Sequence, residues 1–340
     1  MTTTRLALTR SEILAFRRQV GALDERLPSG ADSLRRAAWA GLQDSMPRAA
    51  LLSIHARVEG TESSTWEDPS LVQVWGPRFS AYVVAAPDRA VFTLGRLRDD
   101  AEGRSFAQEL ADRLEAFLDG RRLPYGEAGD GLGVHPNRLR YAAPTGRVVL
   151  RWDGARQPTV WMVPAPDVDP LEARLELTRR YLHMFGPGSP TAFAQWAGIG
   201  PIDGRAAFTA LADELVPVGT PIGDLWILAT DEPAFRIRDV RPATARLLPS
   251  GDSWFLLQGP DRELLVPDAG RCGELWTPRV WPGAVLVAGE VVGTWRRAQA
   301  KLSISPWRAL SPRERAAVEA EAAALPLPGI EGEIVVRWDG

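Results

Sequence analysis

Residues 171–230 restrict the fold most, because their turn residues leave few ways to arrange them. Apolar residues at helical spacing run from Leu171 to Phe185 and end at Gly186-Pro187-Gly188, which cannot continue a helix. Ser189-Pro190 follows, a capping side chain with proline at the first helical position, and opens a short helix through Phe193 and Trp196. Gly198-Ile199-Gly200 turns the chain, Ile202 to Leu211 forms the next helix, and Val216–Val218 with Leu225–Leu228 reads as a hairpin. Helix, turn, helix and hairpin within about 45 residues is the order of a winged helix.

The same order is expected twice upstream. Residues 9–58 read as helical, opening with a cap at Thr9-Arg10-Ser11-Glu12. The runs Leu71 to Trp75 and Phe79 to Ala85, joined through Gly76-Pro77-Arg78, then predict a hairpin. Residues 105–119 form an amphipathic helix with Phe106, Leu110, Leu114 and Phe117/Leu118 on one face, followed by strands Val148–Trp152 and Thr159–Val163. Beyond residue 234 the pattern changes. Short apolar runs at Ala245–Leu248, Trp254–Leu257, Leu264–Val266, Ala284–Val287 and Val291–Trp295 suggest a small barrel or closed sheet, then a helix over Pro312–Ala324 and a last strand over Glu333–Trp338. The run Val148–Gly154 is echoed at Ile334–Gly340, which reads as two hairpin strands sharing one turn chemistry. The reading is an α+β chain of tandem winged-helix units with a β-rich C-terminal region. Its divisions are 1–100, 101–170, 171–233 and 234–340.

Composition removes several functions. The chain of 340 residues is long enough for two or three cores. Its single cysteine, Cys272, excludes an internal disulfide, and His55, His135 and His183 are too scattered for a local ligand pair, so no metal or cofactor is expected. No apolar run approaches the roughly 20 residues that span a bilayer, and the N-terminus lacks a secretory pattern, so a cytoplasmic protein with no membrane partner is expected. Net charge is −3, unlike a typical DNA-binding domain. Lys301 is the only lysine; arginine, which suits bidentate phosphate contacts, supplies every other cation.

Three spaced segments resemble the AlkZ-like winged-helix DNA-binding family of bacterial alkylpurine DNA glycosylases. They are Gly41-Leu42-Gln43-Asp44-Ser45-Met46-Pro47-Arg48, then Leu71–Val84 around Trp75-Gly76-Pro77-Arg78, and a C-terminal set of Arg246–Pro249, Arg262–Asp268 and Val292–Arg296. The resemblance implies winged helices curved around double-stranded DNA. It also implies hydrolysis of the N-glycosidic bond of alkylated purines without a cofactor; with no coiled coil or clear dimerisation segment in the sequence, a monomer is expected. The family motif is Gln, an apolar residue, then Gln or Asp. Here Gln43 matches the first position, Asp44 replaces the apolar residue, and Ser45 stands at the second catalytic position. On a helix Asp44 points roughly 100° from Gln43, so it supplies the carboxylate only if the segment is irregular. Alternatively Asp44 and Ser45 cap the helix that follows.

The family hairpin reads Trp-x-x-Arg-Gly-Thr-x-His; Arg78 matches, whereas Phe79-Ser80-Ala81-Tyr82 replaces Gly-Thr-x-His. Arg78, Ser80 and Tyr82 are therefore candidate DNA contacts, with Trp75 and Tyr82 packing under the sheet as the other reading. Arg48 is a phosphate or salt-bridge candidate, and Arg205 sits in the recognition-helix position. Asp252 is expected in a turn, His55 in a core or rim, and Lys301 in no Schiff base. The competing function is a non-catalytic winged-helix regulator or damage sensor.

Overall fold

The computed structural model describes residues 6–44, 48–153, 157–236, 244–330 and 332–339. Its helices start where short-range chemistry tells them to. Thr9 and Glu12 close a reciprocal capping box on Arg10–Val20, and Ser189 caps Pro190–Ala197 through the Ala192 N–H. Asp100 captures the Gly103 N–H and starts Ala101–Leu118 earlier than the sequence predicts. That helix buries Ala107, Leu110, Ala111, Leu114 and Leu118. Phe106, expected on the same face, is 41% exposed because it lies one residue off the stripe, about 100° around the axis.

Three sheets organise the described residues. The largest has six strands in the order Leu42–Gln43, Ala81–Ala85, Leu71–Trp75, Val148–Arg151, Thr159–Met162 and Leu123–Pro124. It fuses the first two hairpins through a bridge between Gln73 and Leu150. A second sheet joins hairpin Leu215–Thr220/Gly223–Leu228 to Leu6–Ala7, which runs parallel to Leu215–Thr220. Between these sheets Tyr181, Phe185, Phe193 and Trp196 form an aromatic cluster, with Trp196 5.3 Å from both Tyr181 and Phe185.

The third sheet has five strands, from edge Ala245–Leu248 through Gly283–Val287, Glu290–Ala298 and Lys301–Pro306 to edge Val335–Trp338. Among the described residues its two edges do not pair with each other. The predicted strands at Trp254–Leu257 and Leu264–Val266 are instead a 3₁₀ turn, Ser253–Phe255, and a helix, Asp261–Leu265. Asp252 captures the Trp254 N–H, and Pro260 leads directly into the helix, so neither segment can enter a ladder. Val335–Trp338 runs parallel to its neighbour and so is no hairpin strand, despite its likeness to Val148–Arg151. Helix Pro312–Ala323 covers this sheet with Val318 and Ala322. Among the described residues no helix is long and apolar enough to cross a membrane.

Candidate active site

Gln43 lies on a strand, contrary to the helical expectation for this stretch. Gly41, at φ +71°, ends the preceding turn, and a Cβ there would stand 2.9 Å from the Tyr82 ring. Leu42 and Gln43 then pair antiparallel with Val83 and Tyr82, and the Asp44 N–H donates to the Ala81 carbonyl at 2.8 Å. Successive residues of extended chain face opposite ways, so Gln43 and Asp44 diverge.

Gln43 is half-buried. Its Oε1 accepts a hydrogen bond from Arg78 Nη2 at 2.9 Å and lies 3.5 Å from the Tyr82 hydroxyl. Gly251, at φ +77°, closes over it, so that a Cβ at this glycine would stand 3.3 Å from the Gln43 amide. Asp44 turns inward and is buried. Its Oδ1 accepts from the Ala50 N–H at 3.0 Å and its Oδ2 from Gln73 Nε2 at 2.8 Å. Burial pushes this carboxyl up to about 6, against the opposing pull of those donors and of Arg48. Asp44 thus holds the start of helix Ala49–His55, the capping role that the sequence left open.

Arg48 is half-buried in the left-handed region, φ +63°. Its guanidinium stacks 3.6 Å from the Trp66 ring centre, as does that of Arg151, which places them on opposite faces of the indole. Arg48 also donates to the Trp152 carbonyl at 3.3 Å. Arg78 and Phe79 form the tip of the first hairpin with φ of +55° and +56°. The tip sits against Gly198, where a Cβ would stand 2.8 Å from Arg78 Cα. Ser80 is half-buried and closes the tip by accepting the Gly76 N–H at 2.9 Å.

Tyr82 is fully buried, so it supports Gln43 from beneath and cannot meet a duplex directly. Arg205 stands on the exposed face of helix Pro201–Ala210 and shares no bonding partner with the Gln43 group. Ser45, the remaining candidate, lies outside the described residues. His55 is a buried rim residue, pushed down to about 4 by burial and by Arg26 and Arg246, hence neutral at pH 7. Lys301 is exposed at the start of its strand.

Three supporting residues escaped the sequence reading. Gln73 bonds Asp44 and also accepts the Trp152 N–H at 2.6 Å. Its signal was a polar residue at an inward position of the run Leu-Val-Gln-Val-Trp. Arg96 is buried at 3% exposure, donates to the Trp75 and Ala197 carbonyls, and stacks 4.5 Å from the Phe79 ring centre. Arg57 forms a buried bidentate pair with Asp252, both bonds 2.7 Å, which fastens helix Ala49–His55 to the loop carrying Gly251. Nothing local in the sequence announces that pairing.

The arrangement is a half-buried amide locked by a guanidinium at a hairpin tip, backed by an inward carboxylate. The fold that carries it matches a solved DNA glycosylase. The Streptomyces sahachiroi DNA glycosylase AlkZ aligns over 98% of this chain and 100% of its own, with a TM-score of 0.78 at 20% identity. No curated protein sequence matches the chain. The family described as DNA glycosylase AlkZ-like matches residues 35–326, a span that includes the whole Gln43 group, and the chain belongs to that family.

Proposed function

We propose that the protein is a DNA repair glycosylase that hydrolyses the N-glycosidic bond of alkylated purines in double-stranded DNA, acting as a cytoplasmic monomer without a cofactor. The observation that carries this reading is the Gln43 amide, fixed by Arg78 on the hairpin tip of a chain from this family. An N7-alkylated guanine is already cationic and leaves readily. Water oxygen joins C1′ and the C1′–N9 bond breaks. The bond's electron pair neutralises the ring, and the water gives up one proton to bulk solvent. The enzyme has to orient the water and favour positive charge developing on the sugar.

In this reading Gln43 orients the water through its amide dipole, which cannot itself act as a base. Asp44, mostly ionised at neutral pH, favours the sugar cation through its field from behind the strand. Ser45 occupies the second motif position. Arg48, Arg78, Ser80 and Arg205 are assigned to the duplex, with Tyr82 as the support of Gln43. The helix–turn–helix segments with their hairpins are read as winged helices over 1–100, 101–170 and 171–233, and residues 234–340 as the β-rich region. The first two share one sheet.

The test is a duplex carrying N7-methylguanine, incubated with protein and then cleaved with hot alkali at abasic sites. Wild type is expected to cut. Gln43→Ala and Arg78→Ala lose most of that cutting while keeping the fold by circular dichroism. Tight binding by wild type with no abasic product favours the non-catalytic binder instead.

A further inference from the structure

Two cavities lie near the candidate site, and charge separates them. The larger, about 800 Å³, has Phe79, Phe106 and Tyr141 in its wall. Asp100, Glu102, Glu109 and Asp203 outnumber Arg96 and Arg98 around it, an arrangement that repels a phosphodiester. The smaller, about 390 Å³, is lined by no carboxylate among the described residues. Its volume falls within the roughly 300–1,000 Å³ of small-molecule sites.

Gln43, Asp44 and Arg78 are not among the described residues that line this smaller cavity, which neighbours their group through Ala49 and Ser250. Ala49 begins the helix that Asp44 holds, and Ser250 precedes the glycine that closes over Gln43. Its walls are apolar, with Leu52, Trp281 and Trp295 among them. Trp281 is already held in place, 6.3 Å from the Phe255 ring and 5.6 Å from the Arg262 guanidinium. Arg296 and Arg297 stand exposed at the lip, bonded among the described residues to the backbone carbonyls of Val280 and Gln299. Apolar walls beneath two guanidiniums match a ligand with an uncharged organic group beside an anion.

We propose that this cavity receives an uncharged aromatic or aliphatic substituent carried by the target base, while Arg296 and Arg297 engage an adjacent phosphodiester. The assignment rests on the glycosylase reading only in placing the base at Gln43. It makes the cavity a specificity subsite: a methyl group leaves it empty, and a larger substituent fills it.

The experiment measures binding by fluorescence anisotropy to two duplexes that resist hydrolysis through a 2′-fluoro sugar, one bearing N7-benzylguanine and the other N7-methylguanine. Wild type is expected to bind the benzyl duplex about tenfold more tightly through added apolar burial. Ser250→Phe, a half-exposed position that fills the cavity without emptying the core, brings the two affinities within about twofold of each other. Arg296→Ala weakens both duplexes together and lowers the salt dependence by about one phosphate contact. Equal wild-type affinities, or a benzyl preference that survives Ser250→Phe, overturn the subsite. Because neither duplex can be cleaved, a preference that persists in a protein unable to release either N7-methylguanine or N7-benzylguanine from cleavable duplexes sinks the glycosylase reading and leaves the subsite standing.

Discussion

Replacing Asp252 with alanine strikes the contact that holds the Gly251 loop, which closes over Gln43, to helix Ala49–His55. Both partners are dry: Arg57 is 1% exposed, and the Asp252 side chain is fully buried. Asp252 accepts two bonds from Arg57 at 2.7 Å, one from Ser53 Oγ at 2.6 Å and one from the Trp254 N–H at 2.9 Å. After Asp252→Ala the guanidinium keeps only the Ser53 carbonyl and the Ser253 hydroxyl, with no counter-charge. Breaking a buried pair from one side costs about 3–5 kcal/mol, a large share of a total stability of roughly 5–15 kcal/mol. Urea unfolding followed by tryptophan fluorescence is the assay, and the midpoint is expected to fall accordingly with an unchanged slope. The double variant Arg57→Met, Asp252→Leu removes both charges together and is expected to regain most of the loss. A cost below about 1 kcal/mol for Asp252→Ala would mean that the pair is not what holds the loop, and the reasoning fails.

Two further outcomes follow from burial and exposure. Asp44 sits near 6 in the folded protein against 3.8 for a free carboxyl, so the fold binds its proton more tightly than the unfolded chain. Its contribution is fully present below about pH 4 and is lost as pH rises through about 6. The stability of Asp44→Asn relative to wild type should therefore improve by roughly 3 kcal/mol between those limits and neutrality, and a flat difference in urea titrations refutes the assignment. Arg205→Ala, on an exposed helical face, is expected to leave stability within about 0.5 kcal/mol while lowering the slope of DNA affinity against salt by about one contact. An unchanged slope places that helix away from the duplex.

What could be read in advance was whatever the chain decides locally. The Thr9–Glu12 box, the Ser189-Pro190 start and the hairpin at Arg78 depend on neighbours a few residues away, and the observed elements follow them. Two of the misreadings involve partners far along the chain. Leu6 pairs with Val218, so the N-terminal segment joins the sheet of the third hairpin. Gln43 is drawn onto a strand edge by Tyr82, a pairing that the helical pattern around it conceals. That placement decides the chemistry: extended chain turns Asp44 away from Gln43, where the helical reading had asked whether the two share a cleft. The run Trp254–Leu257 is as apolar as a strand, yet one side-chain bond from Asp252 diverts it.

The placing of the arginines explains why net charge says little about the ligand. Arg17, Arg18, Arg57, Arg96, Arg174, Arg180 and Arg246 are all buried at 7% exposure or less. Several of them act as clamps on distant backbone. Arg17 binds the carbonyls of Phe185 and Gly186, Arg96 those of Trp75 and Ala197, and Arg246 that of Ala56. A planar guanidinium holds two carbonyls from separate segments at once, which a lysine ammonium does less well. Such residues add positive charge to the sum without offering it to phosphate. An exposed arginine already spent on a carboxylate, such as Arg179 on Glu214, adds little more. The charge a duplex meets is thus set by the exposed guanidiniums that are not paired with acid, and among the described residues Arg296 and Arg297, each bonded to one backbone carbonyl beside the smaller cavity, are of that kind. A chain of net charge −3 can therefore present a local cationic lip to DNA.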